Sequence, residues 1–280
     1  MFNKLLQLTL VQHGCSRFMG WVANCRWLWL KNSLIKWFIA RYQVDLSEAE
    51  HQDLIVYPHF NAFFTRALKP AARSIVTAEN AIACPVDGTI SQLGFISEGN
   101  IFQAKNQTYS LKQLLADVPP YTELFYNGHF ATFYLAPKDY HRVHMPLTGQ
   151  LQEMWYVPGQ LFSVNAKAAQ TVPQLFARNE RLVCTFETKA GTMVLILVGA
   201  MLVAGIQTIW SGLVVPSREK KLQTWNYGPN EIVLQKGQEM GHFEFGSTVI
   251  VLFQQERMQW HKELMEGSVV RMGQEIAQLN

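Results

Sequence analysis

From Ala190 to Ser217 the chain carries no charged side chain, and no other stretch narrows its possible folds as much. Met193 to Val198 runs almost directly into Met201 to Ala204, so hydropathy alone would allow a membrane span. Gly191, Gly199, Gly205 and Gly212 divide the stretch into strand-length pieces. Gln207, Thr208 and Ser211 would lack hydrogen-bond partners in lipid. Two or three buried strands are therefore expected here. From Ile75 onward the same alternation of apolar runs with Gly, Pro and Asn recurs: Pro85 to Thr89, Thr132 to Leu135, Met154 to Gly159 and Leu182 to Phe186. Short helices are expected at Leu111 to Ala116 and Ala166 to Gln170, and an exposed loop at Ser217 to Glu231, where Arg218, Lys220 and Lys221 cluster. The fold class expected is α+β, with a β-rich domain over residues 45–280.

The first 44 residues differ in kind. They hold six cations (Lys4, Arg17, Arg26, Lys31, Lys36, Arg41) and no Asp or Glu, whereas the remainder has 18 Lys and Arg against 21 acids. Half of the eight tryptophans are here, Trp21, Trp27, Trp29 and Trp37, joined by Phe18 and Phe38. Indoles favour the headgroup level of a bilayer and cations meet anionic lipid, so residues 1–44 read as a helical region lying on a membrane surface. The competing reading is an ordinary packed pair of helices, because Arg26, Lys31, Lys36 and Arg41 do not share one face. Val44 to Glu50 is polar and helix-like, and Tyr57 to Arg66 follows as a short aromatic element. With 49% hydrophobic residues in 280, the chain can bury a full core. Cys15, Cys25, Cys84 and Cys184 contain no Cys-x-x-Cys pair, which argues against structural zinc or a redox motif and fits a reducing cytoplasm. The N-terminus lacks a secretory cleavage pattern, and nucleic acid is not an expected partner.

Chemistry is suggested where Gly246-Ser247-Thr248 precedes the apolar run Val249 to Phe253. One reading is turn punctuation before a strand. The other is a serine whose hydroxyl attacks its own peptide bond, since Gly246 leaves its carbonyl carbon unhindered. Such a serine needs a base of near-neutral pKa and a carboxylate to orient it. Asp87, in Pro-Val-Asp-Gly-Thr, is by default a turn residue. His141 and His144, three apart, have no third ligand in register, so no metal is expected. Asp87, His144 and Ser247 nonetheless supply the three parts the chemistry requires.

Several long motifs then agree in order: Phe60 to Phe64, Val86-Asp87-Gly88, Tyr140 to Pro146 (YHRVHMP), Tyr156 to Asn165 (YVPGQLFSVN), Leu175 to Arg181 (LFARNER), Gly237 to Gly241 (GQEMG) and Gly246 to Thr248. Together they resemble bacterial phosphatidylserine decarboxylase proenzymes over nearly the whole chain, Phe245 standing where leucine is usual. The resemblance implies that Ser247 attacks Gly246, with His144 as base and Asp87 orienting it. Elimination and hydrolysis would leave a pyruvoyl group at residue 247, a β fragment 1–246 and an α fragment 247–280. It further implies decarboxylation through a Schiff base on the pyruvoyl carbonyl, with His141 at the substrate carboxylate and as proton donor. The expected product is phosphatidylethanolamine and the expected location the cytoplasmic side of the cell membrane, held peripherally on an anionic surface. The two fragments would stay together as a heterodimer, a higher homo-oligomer remaining open. The alternatives are a pyruvoyl decarboxylase of a free amino acid, a non-enzymatic membrane-surface module, and a Ser-His-Asp lipid hydrolase.

Overall fold

The computed structural model describes Gly14 and residues 19–104, 107–200, 205–215, 217, 221–244 and 247–280. Expectations for Lys4, Cys15, Arg17, Phe18, Met201 to Ala204, Arg218, Lys220, Phe245 and Gly246 lie outside the described residues.

The Ser247–Phe253 strand runs through the interior of a nine-stranded antiparallel sheet, between Gly191–Val198 and His129–Leu135. Thr248 to Val251 are β-branched and suited to a pleated interior. All seven residues of the strand are buried. Side chains alternate across the sheet, so Val249, Val251 and Phe253 enter one core while Ile250 and Leu252 enter another. Burying each of these large side chains is worth about 1.5–3 kcal/mol relative to exposure. Gly149–Val157 and Arg181–Thr188 extend the sheet on one side, and Gly88–Phe95 with Val269–Val270 on the other. The uncharged stretch therefore supplies the Gly191–Val198 strand, and Ile206–Thr208 and Gly212–Val215 join a second sheet.

That second, four-stranded sheet has the order Gly212–Val215, Ile206–Thr208, Glu239–Phe243, Arg142–His144. Val143, Ile206, Val215, Met240 and Phe243 carry it onto the first core. Ile101, Tyr109, Leu111, Leu114, Leu175 and Phe176, from a hairpin and short helices, cover the opposite face. With both faces covered, the sheet reads as nearly continuous apolar runs, and this is why a hydropathy window mistakes part of it for a membrane span. The α+β, β-rich class expected from the sequence is the one observed.

The helix Leu28–Tyr42 buries Lys31, Ile35 and Phe38 at helical spacing. Phe38 meets Phe60, Phe63 and Phe64 in a third core. Trp27, Trp29 and Trp37 stay outside, more than half exposed, as does Trp21. Lys31 is not a surface cation. Its ammonium donates to the carbonyls of Leu54 (3.0 Å), Ile55 (3.2 Å) and Tyr57.

Two local expectations need correction. Val44 to Glu50 forms turns and an isolated bridge from Ala49 to Leu68, because the Asp45 carboxylate takes the Ser47 amide (2.8 Å) and hydroxyl (2.9 Å) in a local turn that competes with a helix. Within the expected loop, Gln223–Asn226 is an edge strand pairing with Glu153 to Tyr156. Thr224 and Trp225 favour that pleated position.

Candidate active site

Ser247 opens its strand opposite Leu135 and is fully buried. Its hydroxyl has no hydrogen-bond partner among the described residues. Burying an unpartnered hydroxyl costs about 1–3 kcal/mol, so the position is not explained by stability. Three residues earlier, Glu244 is fastened by Gln207 Nε2 (2.6 Å), by Asn61 Nδ2 (3.4 Å) and by its own amide on the Gly205 carbonyl (2.8 Å). Glu244 is thus fastened by side-chain and main-chain contacts, and Ser247 by a central strand.

The two histidines sit where the sheets meet. Phe243 donates its amide to the His141 carbonyl (3.1 Å), four residues before Ser247. The loop from Ala136 to Tyr140 joins Leu135, the strand partner of Ser247, to His141. The His141 ring is fully buried against Phe64, with centroids 4.2 Å apart. Its Nδ1 donates to the Asp139 carbonyl (2.9 Å), which fixes the tautomer and leaves Nε2 a bare lone pair with no partner among the described residues. Burial lowers its pKa to about 3, and the nearby Arg66 cation acts in the same direction.

His144 lies alongside Glu239 in the second sheet. Its Nδ1 donates to the Gly237 carbonyl (2.8 Å), while Nε2 faces the Tyr140 hydroxyl (3.1 Å). Gly237 holds a φ of +79°, a conformation that few other residues adopt, and this turn aims its carbonyl at the ring. Burial also lowers the His144 pKa. Both rings are therefore neutral at pH 7, each with Nδ1 protonated and Nε2 as the nitrogen that carries the lone pair.

Asp87 is buried one residue before Gly88, where a Cβ would come within 2.4 Å of the Tyr134 carbonyl oxygen. Only glycine lets the chain pass this close to the neighbouring strand. The Asp87 carboxylate accepts Arg73 Nε (2.9 Å), Arg73 Nη2 and the Met272 amide (2.8 Å). No hydrogen bond joins it to the His144 ring. The two are linked instead through the chain, since the His144 amide donates to the Pro85 carbonyl (2.9 Å), and through the Asp87 charge, which favours protonated His144. The structure thus brings Asp87 and His144 into one neighbourhood and His141 beside the segment leading to Ser247. It makes no hydrogen bond from Ser247 to either ring. Among the described residues no three His, Cys, Asp or Glu side chains gather as metal ligands.

Sequence reasoning passed over Arg73, Tyr140 and Arg66. Tyr140 stands inside the Tyr-His-Arg-Val-His-Met-Pro run and Arg66 closes the aromatic element, so both positions were visible. Their partners were not, because they come from distant parts of the chain.

A family model described as phosphatidylserine decarboxylase matches residues 60–278, and a second, described as PSD, matches residues 4–43. A protein of Pseudomonas putida named phosphatidylserine decarboxylase proenzyme is 54% identical over 274 residues, covering 97% of this chain and 95% of the relative. Relatives of the same name are similar to the same degree: one from Pseudomonas entomophila is 54% identical over 97% of this chain and 95% of its own length. Another from Ectopseudomonas mendocina is 54% identical over 96% and 95%.

Proposed function

Because this chain belongs to the phosphatidylserine decarboxylase family, we propose that it forms a pyruvoyl group from its own Ser247 and uses it to convert phosphatidylserine to phosphatidylethanolamine and carbon dioxide. The single observation that carries this reading is the buried, unpartnered Ser247 hydroxyl at the start of a fixed central strand. A hydroxyl that is consumed by the chemistry has no need of a permanent partner, so the residue fits the group.

In the proposed processing, His144 takes the Ser247 hydroxyl proton as the oxygen adds to the Gly246 carbonyl carbon. The Gly246–Ser247 amide bond breaks and an ester forms. Loss of the Ser247 α-proton then breaks the Cβ–O bond, Gly246 leaves as a carboxylate, and water replaces the nitrogen, which departs as ammonia. The β fragment 1–246 and the α fragment 247–280 stay paired, because Ser247–Phe253 is hydrogen-bonded on both sides by strands of the β fragment. Burial keeps His144 neutral before the step, and the Asp87 charge favours the imidazolium formed during it. The pyruvoyl group supplies an electron sink for the departing carboxylate. His141 is assigned to the carboxylate and to reprotonation of the product carbon, its bare Nε2 first taking up the proton it then delivers, and full burial of the ring favours loss of charge as carbon dioxide.

The free Nε2 lone pair of His141 supports a second reading in which the two histidines exchange roles. Intact masses of His141→Ala and His144→Ala separate the two, since the variant that stays uncut identifies the processing base. The family name favours the lipid over a free amino acid as substrate, and an enzyme over an inert binding module or a lipid hydrolase.

Residues 1–44 are proposed as a separate membrane-associating region and 45–280 as the catalytic domain. No described helix is long and apolar enough to cross a membrane. Trp21, Trp27, Trp29 and Trp37 point outward, and exposed Ile55 and Val56 lie on the turn that Lys31 fastens to the same helix. An outward aromatic surface beside Arg26, Lys36 and Arg41 supports peripheral attachment to anionic lipid on the cytoplasmic side. Vesicle sedimentation with and without phosphatidylglycerol tests this, and equal binding to neutral vesicles would remove the electrostatic part.

A further inference from the structure

Beside the site lies a cavity of about 310 Å³ between the end of the tryptophan-bearing helix and the main sheet. Gln43 lines it on the helix side, Gly88 and Thr89 on the sheet side, and Ala136 to Tyr140 at the loop that leads to His141. Arg66 reaches into it while only 4% exposed. One guanidinium nitrogen, Nη2, donates to the Lys138 carbonyl (3.2 Å), but Nε and Nη1 have no partner among the described residues. Buried guanidinium groups are ordinarily paired, and this one forms no ion pair with a described residue.

The carboxylates sharing the cavity are already engaged. Asp87 and Glu48 both bind Arg73, and Glu48 also meets Arg271 (3.2 Å). Asp45 is taken by Ser47, and Asp139 by the Ala136 amide (2.8 Å). The unfilled donor capacity is therefore that of a planar cation offering N–H groups to an anion. Resting on the decarboxylase reading, we propose that Arg66 binds the phosphodiester of the phospholipid headgroup, holding the serine moiety toward His141 and residue 247. The phosphodiester is preferred to the carboxylate on chemical grounds. A cation fixed on the carboxylate would stabilise the charge that must disappear, whereas the phosphodiester keeps its charge from substrate to product. The cavity also opens beside the helix that presents the tryptophans, the side from which a lipid headgroup would arrive.

The test is calorimetric binding of two probes to the full chain carrying Ser247→Ala, which cannot make a carbonyl group at residue 247. Glycerophosphoethanolamine has the phosphodiester and no carboxylate, and L-serine has the carboxylate and no phosphate. Adding Arg66→Met is expected to weaken glycerophosphoethanolamine binding about tenfold to a hundredfold and leave serine binding unchanged. Arg66→Lys, which keeps the charge but not the planar fork, should fall between. Equal affinity for glycerophosphoethanolamine with and without Arg66, no binding of it by the parent chain at millimolar concentration, or a loss confined to serine would overturn the assignment. Thermal unfolding guards against a folding artefact: Arg66→Met gives up the Lys138 contact and the stacking of the guanidinium over the Phe63 ring (5.5 Å to the centroid) but also removes a buried cation, so it should melt within a few degrees of its parent. Failure of the pyruvoyl reading would appear separately, as an uncut wild-type chain.

Discussion

The Ser247 strand and the Leu28–Tyr42 helix break the ordinary pattern of burial in opposite directions. In and near the Ser247 strand polar atoms are buried without partners among the described residues, namely the hydroxyls of Ser247 and Thr248 and the Nε2 of His141. Along the helix large apolar rings are left in water while a lysine is buried. Neither arrangement serves the stability of the isolated chain. The proposed function gives each a partner, a reacting peptide bond in one region and a lipid surface in the other.

The largest effect expected is in the first region. Ser247→Ala should leave one uncut chain with decarboxylation at background, read by gel and by release of carbon dioxide. Turnover by the uncut variant would dissolve the contrast. Next, His141→Ala should cut normally yet lose about a hundredfold or more in turnover, the usual contribution of a general acid or base. Asp87→Asn and His144→Ala should slow the cut itself, measured as the fraction processed against time after synthesis.

Acid should separate the regions further. His141 and His144 have folded pKa values below the ordinary value of about 6.5, so the unfolded chain binds more protons below that pH. Their contribution to stability is complete above pH 6.5 and is lost progressively as the pH falls toward about 3, where His141 itself titrates. Thermal unfolding across that window should be less steeply dependent on pH in Ser247→Ala/His141→Phe than in Ser247→Ala, and identical slopes would remove His141 from the effect. The smallest change in stability is expected on the helix. Serine at Trp21, Trp27, Trp29 and Trp37 together should leave the melting temperature within a few degrees, because these rings are exposed, yet weaken vesicle binding tenfold or more. Undiminished binding would return the helix to an ordinary packed role.

How much of this was legible in the sequence follows from how local each interaction is. The Ser247 strand could be read from its own β-branched run, and the uncharged stretch from its glycines. The LFARNER motif could be noticed but not interpreted. Asn179 braces the carbonyls of Phe162 and Gly199 (2.9 Å each), Glu180 accepts the Tyr156 hydroxyl (2.8 Å), and Arg181 caps carbonyls of Gln113, Leu114, Ala177 and Asn179. These residues carry the resemblance, yet their visible work is architectural. The pairing of Asp87 with Arg73 was hidden for a different reason. Fourteen residues separate them along the chain, and no spacing rule marks such a pair. Lys31 looked like one more surface cation and proved to be the fastener between helix and turn, since a charge count carries no information about direction.

The central claim is that the chain makes its own carbonyl group, and the intact mass of purified protein under denaturing conditions addresses it most directly. Two fragments divided after Gly246 are expected, the 247–280 piece about 17 Da lighter than simple hydrolysis would leave it, because an amine has become a carbonyl. A single full-length mass from a preparation that still releases carbon dioxide from phosphatidylserine would refute the claim.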